Sequence, residues 1–237
     1  MPYALRLLAI ILLLSPAAPA QSRRAAGSAH LKRGDLLMSQ NKVAAALDSY
    51  DKAVEADPGW AAAYIKRGMA RRAKGDLDGS IEDYEKGGGL DPRSTANNAS
   101  VAESYSNRGL NKLTRLEIDA AVADFTKAIT HDWKEPNHFF RRGQARLVNE
   151  EFAEAVADFN RAEALNRGHE FLTALIYAER GYAMLLQGKR DEAKTEFDKC
   201  DRLASGQQFQ LRLHLIGIEA QIRERRRRRA NSLKGVT

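Results

Sequence analysis

The side chains best suited to chemistry are few and widely spaced. Five histidines (His30, His131, His138, His169 and His214) and one cysteine, Cys200, stand in 237 residues. Zinc hydrolysis would need two histidines one helical turn apart around a glutamate, and dithiol chemistry a second cysteine. A serine hydrolase would place its nucleophile between glycines, and a nucleotide site would close a glycine-rich loop on lysine. None of these patterns occurs. His131, Asp132 and His138 come nearest to a metal cluster, but no catalytic residue, metal or cofactor is expected. One thiol excludes a disulfide within the chain, and Cys200 reads as a small buried residue. The chemistry that remains is that of arginine. It recurs in Arg-Gly pairs along the body, and it crowds Arg223, Arg225, Arg226, Arg227, Arg228 and Arg229 near the end.

The Arg-Gly pairs are Arg33-Gly34, Arg67-Gly68, Arg108-Gly109, Arg142-Gly143 and Arg180-Gly181. Sixteen residues after each glycine stands an aromatic: Tyr50, Tyr84, Phe125, Phe159 and Phe197. Small residues follow each glycine at plus twelve (Ala46, Ser80, Ala121, Ala155, Ala193) and at plus nineteen (Ala53, Gly87, Ala128, Ala162, Cys200). The glycines are 34, 41, 34 and 38 residues apart, so the slack falls between units and never inside them. That is the mark of a stacked repeat array. Sixteen residues after the arginine comes an acid in four units, Asp83, Asp124, Asp158 and Glu196, whereas Ser49 breaks the pattern in the first. An ion pair joining two helices of one unit is expected there. Within Ala44 to Ala56, the residues Ala46, Leu47, Tyr50, Ala53 and Val54 have the spacing of one helical face, and no segment alternates as a strand would.

These residues resemble the tetratricopeptide repeat family, whose 34-residue helix-turn-helix units place a large residue, Gly, Ala, an aromatic, Ala and Pro at set points. Units start near Gly27, Ala61, Ala102, Pro136 and Ala174, and their fourth residues are His30, Tyr64, Tyr105, Phe139 and Tyr177. The closing proline stands as Pro58 and Pro92 and is replaced by Trp133, Arg167 and Ser205 in the last three units. The resemblance implies an all-α fold, a right-handed α-solenoid of five repeats over residues 27–206. It also implies a concave groove lined by the first helices. Its candidate lining is Ile65, Met69, Arg72, Leu110, Leu113, Phe140, Gln144, Leu147 and Tyr182, with Ser106 and Leu185 alongside. The lining is largely apolar and suits an amphipathic helix or an extended hydrophobic peptide. Part of it is expected instead to pack against the next repeat. The lysine and asparagine with which chaperone-binding members clamp a terminal carboxylate are replaced here by Leu31 and Asp35. Arg71, Lys112 and Arg146, four residues after three of the repeated arginines, read either as a basic ladder for an acidic ligand or as side chains with their stems on apolar neighbours.

The two ends differ from the body. Arg6, the apolar run Leu7 to Leu14 and Ala18-Pro19-Ala20 before Gln21 form the three regions of a cleavable secretory signal over residues 1–20, followed by a polar leader at 21–26. Export to a bacterial periplasm, or secretion, is expected. Between repeats two and three, Gly87-Gly88-Gly89 and the insert Ser94 to Val101 predict a frayed joint, or else a longer first helix in repeat three capped by Ser94 or Thr95. A capping helix is expected over 207–222, with apolar stripes Phe209-Leu213-Ile216-Ala220 and Leu211-Leu215-Ile218-Ile222. Residues 223–237 then form an arginine-rich tail. The net charge of +7 sits almost wholly in that tail, where seven basic residues face one acid.

The sequence therefore predicts a non-enzymatic adaptor that holds an unidentified protein partner in the groove. One alternative is a tethering factor whose arginines meet anionic lipid or glycan, with salt-dependent affinity. Another is the regulatory subunit of an envelope enzyme. Nucleic acid is not expected, because no aromatic interleaves the arginines to stack on bases.

Overall fold

The computed structural model describes residues 20–92, 98–203 and 208–234. The predicted signal up to Pro19 and the candidate caps Ser94 and Thr95 lie outside these residues. Eleven helices are present among the described residues, and no strand. They are α1 (Ala20–Ser39), α2 (Val43–Ala56), α3 (Ala61–Lys74), α4 (Leu77–Leu90), α5 (Asn98–Thr114), α6 (Ile118–His131), α7 (Pro136–Val148), α8 (Phe152–Leu165), α9 (Glu170–Leu186), α10 (Arg190–Leu203) and α11 (Gln208–Lys234). The odd-numbered helices α1 to α9 are the first helices of the five repeats and the even-numbered ones the second. The chain is an all-α solenoid. It divides into two compact units, the described residues up to Ser104 and those from Tyr105 onward.

Each hairpin closes for the reason the spacing suggested. The ring sixteen residues after each glycine lies flat against it, because glycine has no side chain to keep it away. A Cβ built on Gly34 would stand 2.4 Å from Tyr50, one on Gly109 2.8 Å from Phe125, and one on Gly143 2.7 Å from Phe159. Tyr50, Tyr84, Phe125 and Phe159 are in consequence among the most buried side chains of the protein. The small residues at plus twelve and plus nineteen are buried as well, including Cys200, whose thiol pKa burial pushes up.

The turn between the two helices of a repeat has a requirement that the sequence pattern did not reveal. Its fifteenth residue takes a left-handed backbone in all five units: Asn41 (φ 57°), Gly75 (87°), Leu116 (62°), Glu150 (67°) and Gly188 (81°). Glycine and asparagine adopt that conformation readily. For Leu116 and Glu150 it costs about 1–2 kcal/mol each. Leu116 packs against the core of its unit, which offsets the strain. Glu150 has no such compensation from apolar packing.

Two segments differ from expectation, and at a third the longer first helix is the alternative found. Residues 21–26 are not a separate leader but the opening turns of α1, and Arg23 and Arg24 face the buried carboxylate of Asp57 from there. Gly87-Gly88-Gly89 does not break α4, which runs on to Leu90. Gly87 lets Ile65 close over it, since a Cβ there would lie 2.8 Å from that side chain. The insert lengthens α5 from Asn98, and the boundary between the units falls at Ser104, inside this helix rather than at the glycines. Last, the expected tail does not begin at Arg223, because α11 continues unbroken to Lys234. Arginine is a good helix former. Arg223 pairs with Glu219 one turn earlier, and Glu224 receives both Arg227 and Arg228.

Candidate functional site

The repeated arginine is a three-helix clamp. On its own helix its guanidinium stacks over the ring three residues earlier, with Arg67 5.4 Å from Tyr64, Arg142 5.8 Å from Phe139 and Arg180 5.4 Å from Tyr177. Towards the second helix of its repeat it donates two hydrogen bonds to one carboxylate. Arg67 binds Asp83 at 2.8 and 2.7 Å, Arg108 binds Asp124 at 2.9 and 2.7 Å, and Arg142 binds Asp158 at 2.9 and 2.7 Å. Its remaining nitrogen reaches back to the preceding repeat: Arg67 to Asp51, Arg142 to Thr126, and Arg180 to Asn160 and Glu163. Several hydrogen bonds to carboxylates hold the Arg67 guanidinium well above its ordinary pKa, against the opposing effect of burial. In repeat one Ser49 instead donates to Ala45 of its own helix, and Arg33 lies exposed.

Arg71, Lys112 and Arg146 are neither a ladder open to ligand nor side chains with their charge left in water. Each is the second cation on a buried aspartate: Arg71 on Asp83 at 3.1 Å, Lys112 on Asp124 at 2.8 Å and Arg146 on Asp158 at 2.7 Å. The fixed polar residues of the repeats therefore serve packing. The candidate metal cluster does not assemble among the described residues. His131 stacks on Tyr105, while His138 is buried and desolvation lowers its pKa.

The groove residues fall in both units and have different surroundings. In the first unit Ile65 is half-buried over Gly87, Arg72 pairs with Glu103 of α5, and Met69 is 39 % exposed. In the second, Leu113, Phe140 and Leu147 are buried. Phe140 belongs to the core outright, tilted against Phe159 at 5.8 Å. Leu110 and Tyr182 pack against that core half-buried, and Gln144 donates to Glu179 of α9 at 2.7 Å. Leu185 stands more exposed.

What covers the second unit's groove is α11. It runs against α7 and α9, and with α5 and α7 it borders a half-open pocket of about 260 Å³ lined by Leu110, Leu113, Gln144, Val148, Ile218 and Gln221. Leu215, Ile218 and Ile222 face inward and Ile216 faces outward, half exposed. The side chains of Phe209, Leu211 and Leu213 lie outside the description. One turn beyond Ile222, Arg225 is buried as well. It donates to Asn149 Oδ1 and lies 3.9 Å from Asp119. Arg226 grips Glu150 with two hydrogen bonds of 3.1 and 2.6 Å, and holds that carboxyl below the usual carboxylate range. Arg228 donates to the carbonyl of Arg115, and Arg229 lies 3.5 Å from Asn149. Of the arginines proposed for an anionic surface, Arg225 is thus buried, while Arg223, Arg226, Arg227 and Arg228 keep their side chains 56–71 % exposed beside their partners. The spacing Leu215, Ile218, Ile222, Arg225 was present in the sequence as a helical stripe, although charge composition alone marked its end as solvated.

Known proteins agree with this architecture. The family model for the tetratricopeptide repeat matches residues 4–59, 31–94 and 107–170, together more than half of the chain. The chain belongs to the tetratricopeptide repeat family. Among curated relatives, Tetratricopeptide repeat protein 36 of Bos taurus and that of Homo sapiens are each 30% identical over 89 residues, which is 38% of this chain and 47% of theirs. The match thus spans about half the length of those relatives. Among solved structures, the MamA protein superposes with a TM-score of 0.58 at 20% identity, over 77% of this chain and 93% of its own. YrrB, described as a tetratricopeptide protein with an unusual peptide-binding site, superposes with a TM-score of 0.56 at 21% identity, over 79% of this chain and 90% of its own. At such identities the likeness is one of fold. A tetratricopeptide array of this kind is a protein-interaction scaffold.

Proposed function

We propose that this tetratricopeptide protein is an exported, non-enzymatic scaffold that holds a segment of a partner protein against the first helices of its repeats. Its compartment is the periplasm, reached by way of the cleavable leader before Gln21. What supports the reading is the use made of the fixed residues. Every repeated arginine, acid, glycine and ring in repeats two to five is engaged in holding hairpins together, so recognition is left to the residues that vary along the first-helix face. That this face suits a helix is supported by α11, which lies along it in the second unit. In the first unit the corresponding surface carries Met69, exposed and apolar.

Two measurements test the proposal. Amino-terminal sequencing of the protein recovered from cells should begin at Gln21, and a chain retained whole in the cytoplasm would overturn export. A photo-crosslinking residue at Met69 should capture a defined protein in the living cell, whereas one at the exposed Lys86 on α4 should not. Equal capture at both positions, or none at either, would remove the groove from the mechanism.

A further inference from the structure

We propose that the groove of the second unit is a binding site for a helix of one particular design, and that α11 is its resident competitor. The design is apolar residues at i, i+3 and i+7 followed by arginines at i+10 and i+11, as in Leu215, Ile218, Ile222, Arg225 and Arg226. The inference rests on the scaffold reading above and names the chemistry of the partner.

The receptor for the arginines is the turn between α7 and α8. Asn149 donates its amide nitrogen to Asp119 at 3.2 Å and also to Glu151, which turns its oxygen towards Arg225. Glu150 presents its carboxylate edge-on to Arg226, so that both nitrogens of one guanidinium face are met. Glu150 stands at the left-handed position of the turn, where glycine serves in two other repeats and asparagine in a third. A strained acid at a place that glycine fills without strain needs a compensating role. Gripping arginine supplies one. Beside the apolar contacts a half-open pocket of about 260 Å³ remains between Ile218 and the lining of α5 and α7. A partner helix with a larger residue at the place of Gly217 or Ile218 would reach into this pocket and gain contacts that α11 lacks, in competition with the advantage that its tether gives α11.

The experiment uses the full chain and, as probe, a fluorescent peptide of residues 208–234. Arg225→Ala with Arg226→Ala in the chain removes the resident's grip and leaves the receptor intact. This variant should bind the peptide at least tenfold more tightly than the unaltered chain does. Hydrogen exchange over 215–231 should rise in the variant while that of α8 stays unchanged. Adding Glu150→Gly to the variant should abolish most of the gain without lowering the melting temperature, because it relieves the turn and removes only the acceptor. Equal peptide affinity in the unaltered chain and the double variant would overturn the proposal. So would a triple variant that keeps the full gain. The assay needs no cellular partner, so failure to capture one at Met69 would leave it standing, and the reverse also holds.

Discussion

The two units put the same row of first-helix residues to opposite uses. In the second unit Leu147 is wholly buried in the core that α11 joins, while in the first Met69 stands 39 % exposed. Both rows lie on equally regular hairpins, closed by the same glycine, ring and arginine. The difference teaches that repeat identity fixes the scaffold and leaves the recognition face undetermined. A groove exists or not according to what the rest of the chain does with it.

The sharpest way to break this contrast is to truncate one residue of each row. Leu147→Ala should destabilise the protein by about 2–5 kcal/mol, the range for a fully buried leucine. Met69→Ala should stay within about 0.5 kcal/mol, as a surface change does. Chemical denaturation of both variants decides, and comparable losses would mean that the first unit's row is core as well. Next in size is the clamp. Arg142→Ala strands the buried carboxylate of Asp158, with only Arg146 left beside it, and should cost about 3 kcal/mol. Arg33→Ala, where Ser49 replaces the acid, should cost less than about 0.5 kcal/mol. Glycine gives a third contrast. Gly143→Ala drives a methyl into Phe159 and should cost about 1–3 kcal/mol. Gly89→Ala, with open space around it, should stabilise α4 by about 1 kcal/mol.

The smallest effect is one of pH. His138 is buried in the second unit, and desolvation lowers its pKa. Its protonation is therefore easier in the unfolded chain, where the value is about 6.5. The associated stability is complete above that pH and is lost as pH falls from there through the folded value. His138→Asn should flatten the corresponding slope in melting temperature, and an unchanged slope would assign the acid sensitivity elsewhere.

Much of the hairpin was legible because its residues cannot be exchanged. Only glycine admits a ring at such close range, and a carboxylate alone offers the arginine two charged oxygens side by side, so type and spacing together specified the contact. The left-handed turn left a weaker mark. Asn41, Gly75 and Gly188 signal it, but Leu116 and Glu150 conceal it because tertiary contacts there accept strain. The backward reach of the clamp was hidden for another reason: Asp51, Thr126 and Asn160 share only an oxygen at the right height, and no residue type is required. Among the groove candidates, Phe140 and Leu147 proved to be interior because a repeat position does not reveal whether a neighbour covers it. The path of α11 escaped for a related cause. Its arginines were counted as charge, whereas the partners of Arg225, Arg226 and Arg229 lie 76 residues or more away in sequence.

The backward reach of the clamp gives the array a direction of growth. Arg67, Arg142 and Arg180 each lean on the repeat synthesised before them, and nothing in the clamp calls on the one that follows. A nascent chain can thus complete each hairpin against finished ground as it emerges. Loss of the opening repeat would leave Arg67 without Asp51, whereas loss of the closing repeat would leave no clamp unfilled behind it. For the clamp alone the carboxyl end is the open one; the second unit closes that end instead with Ile218 and Ile222 of α11.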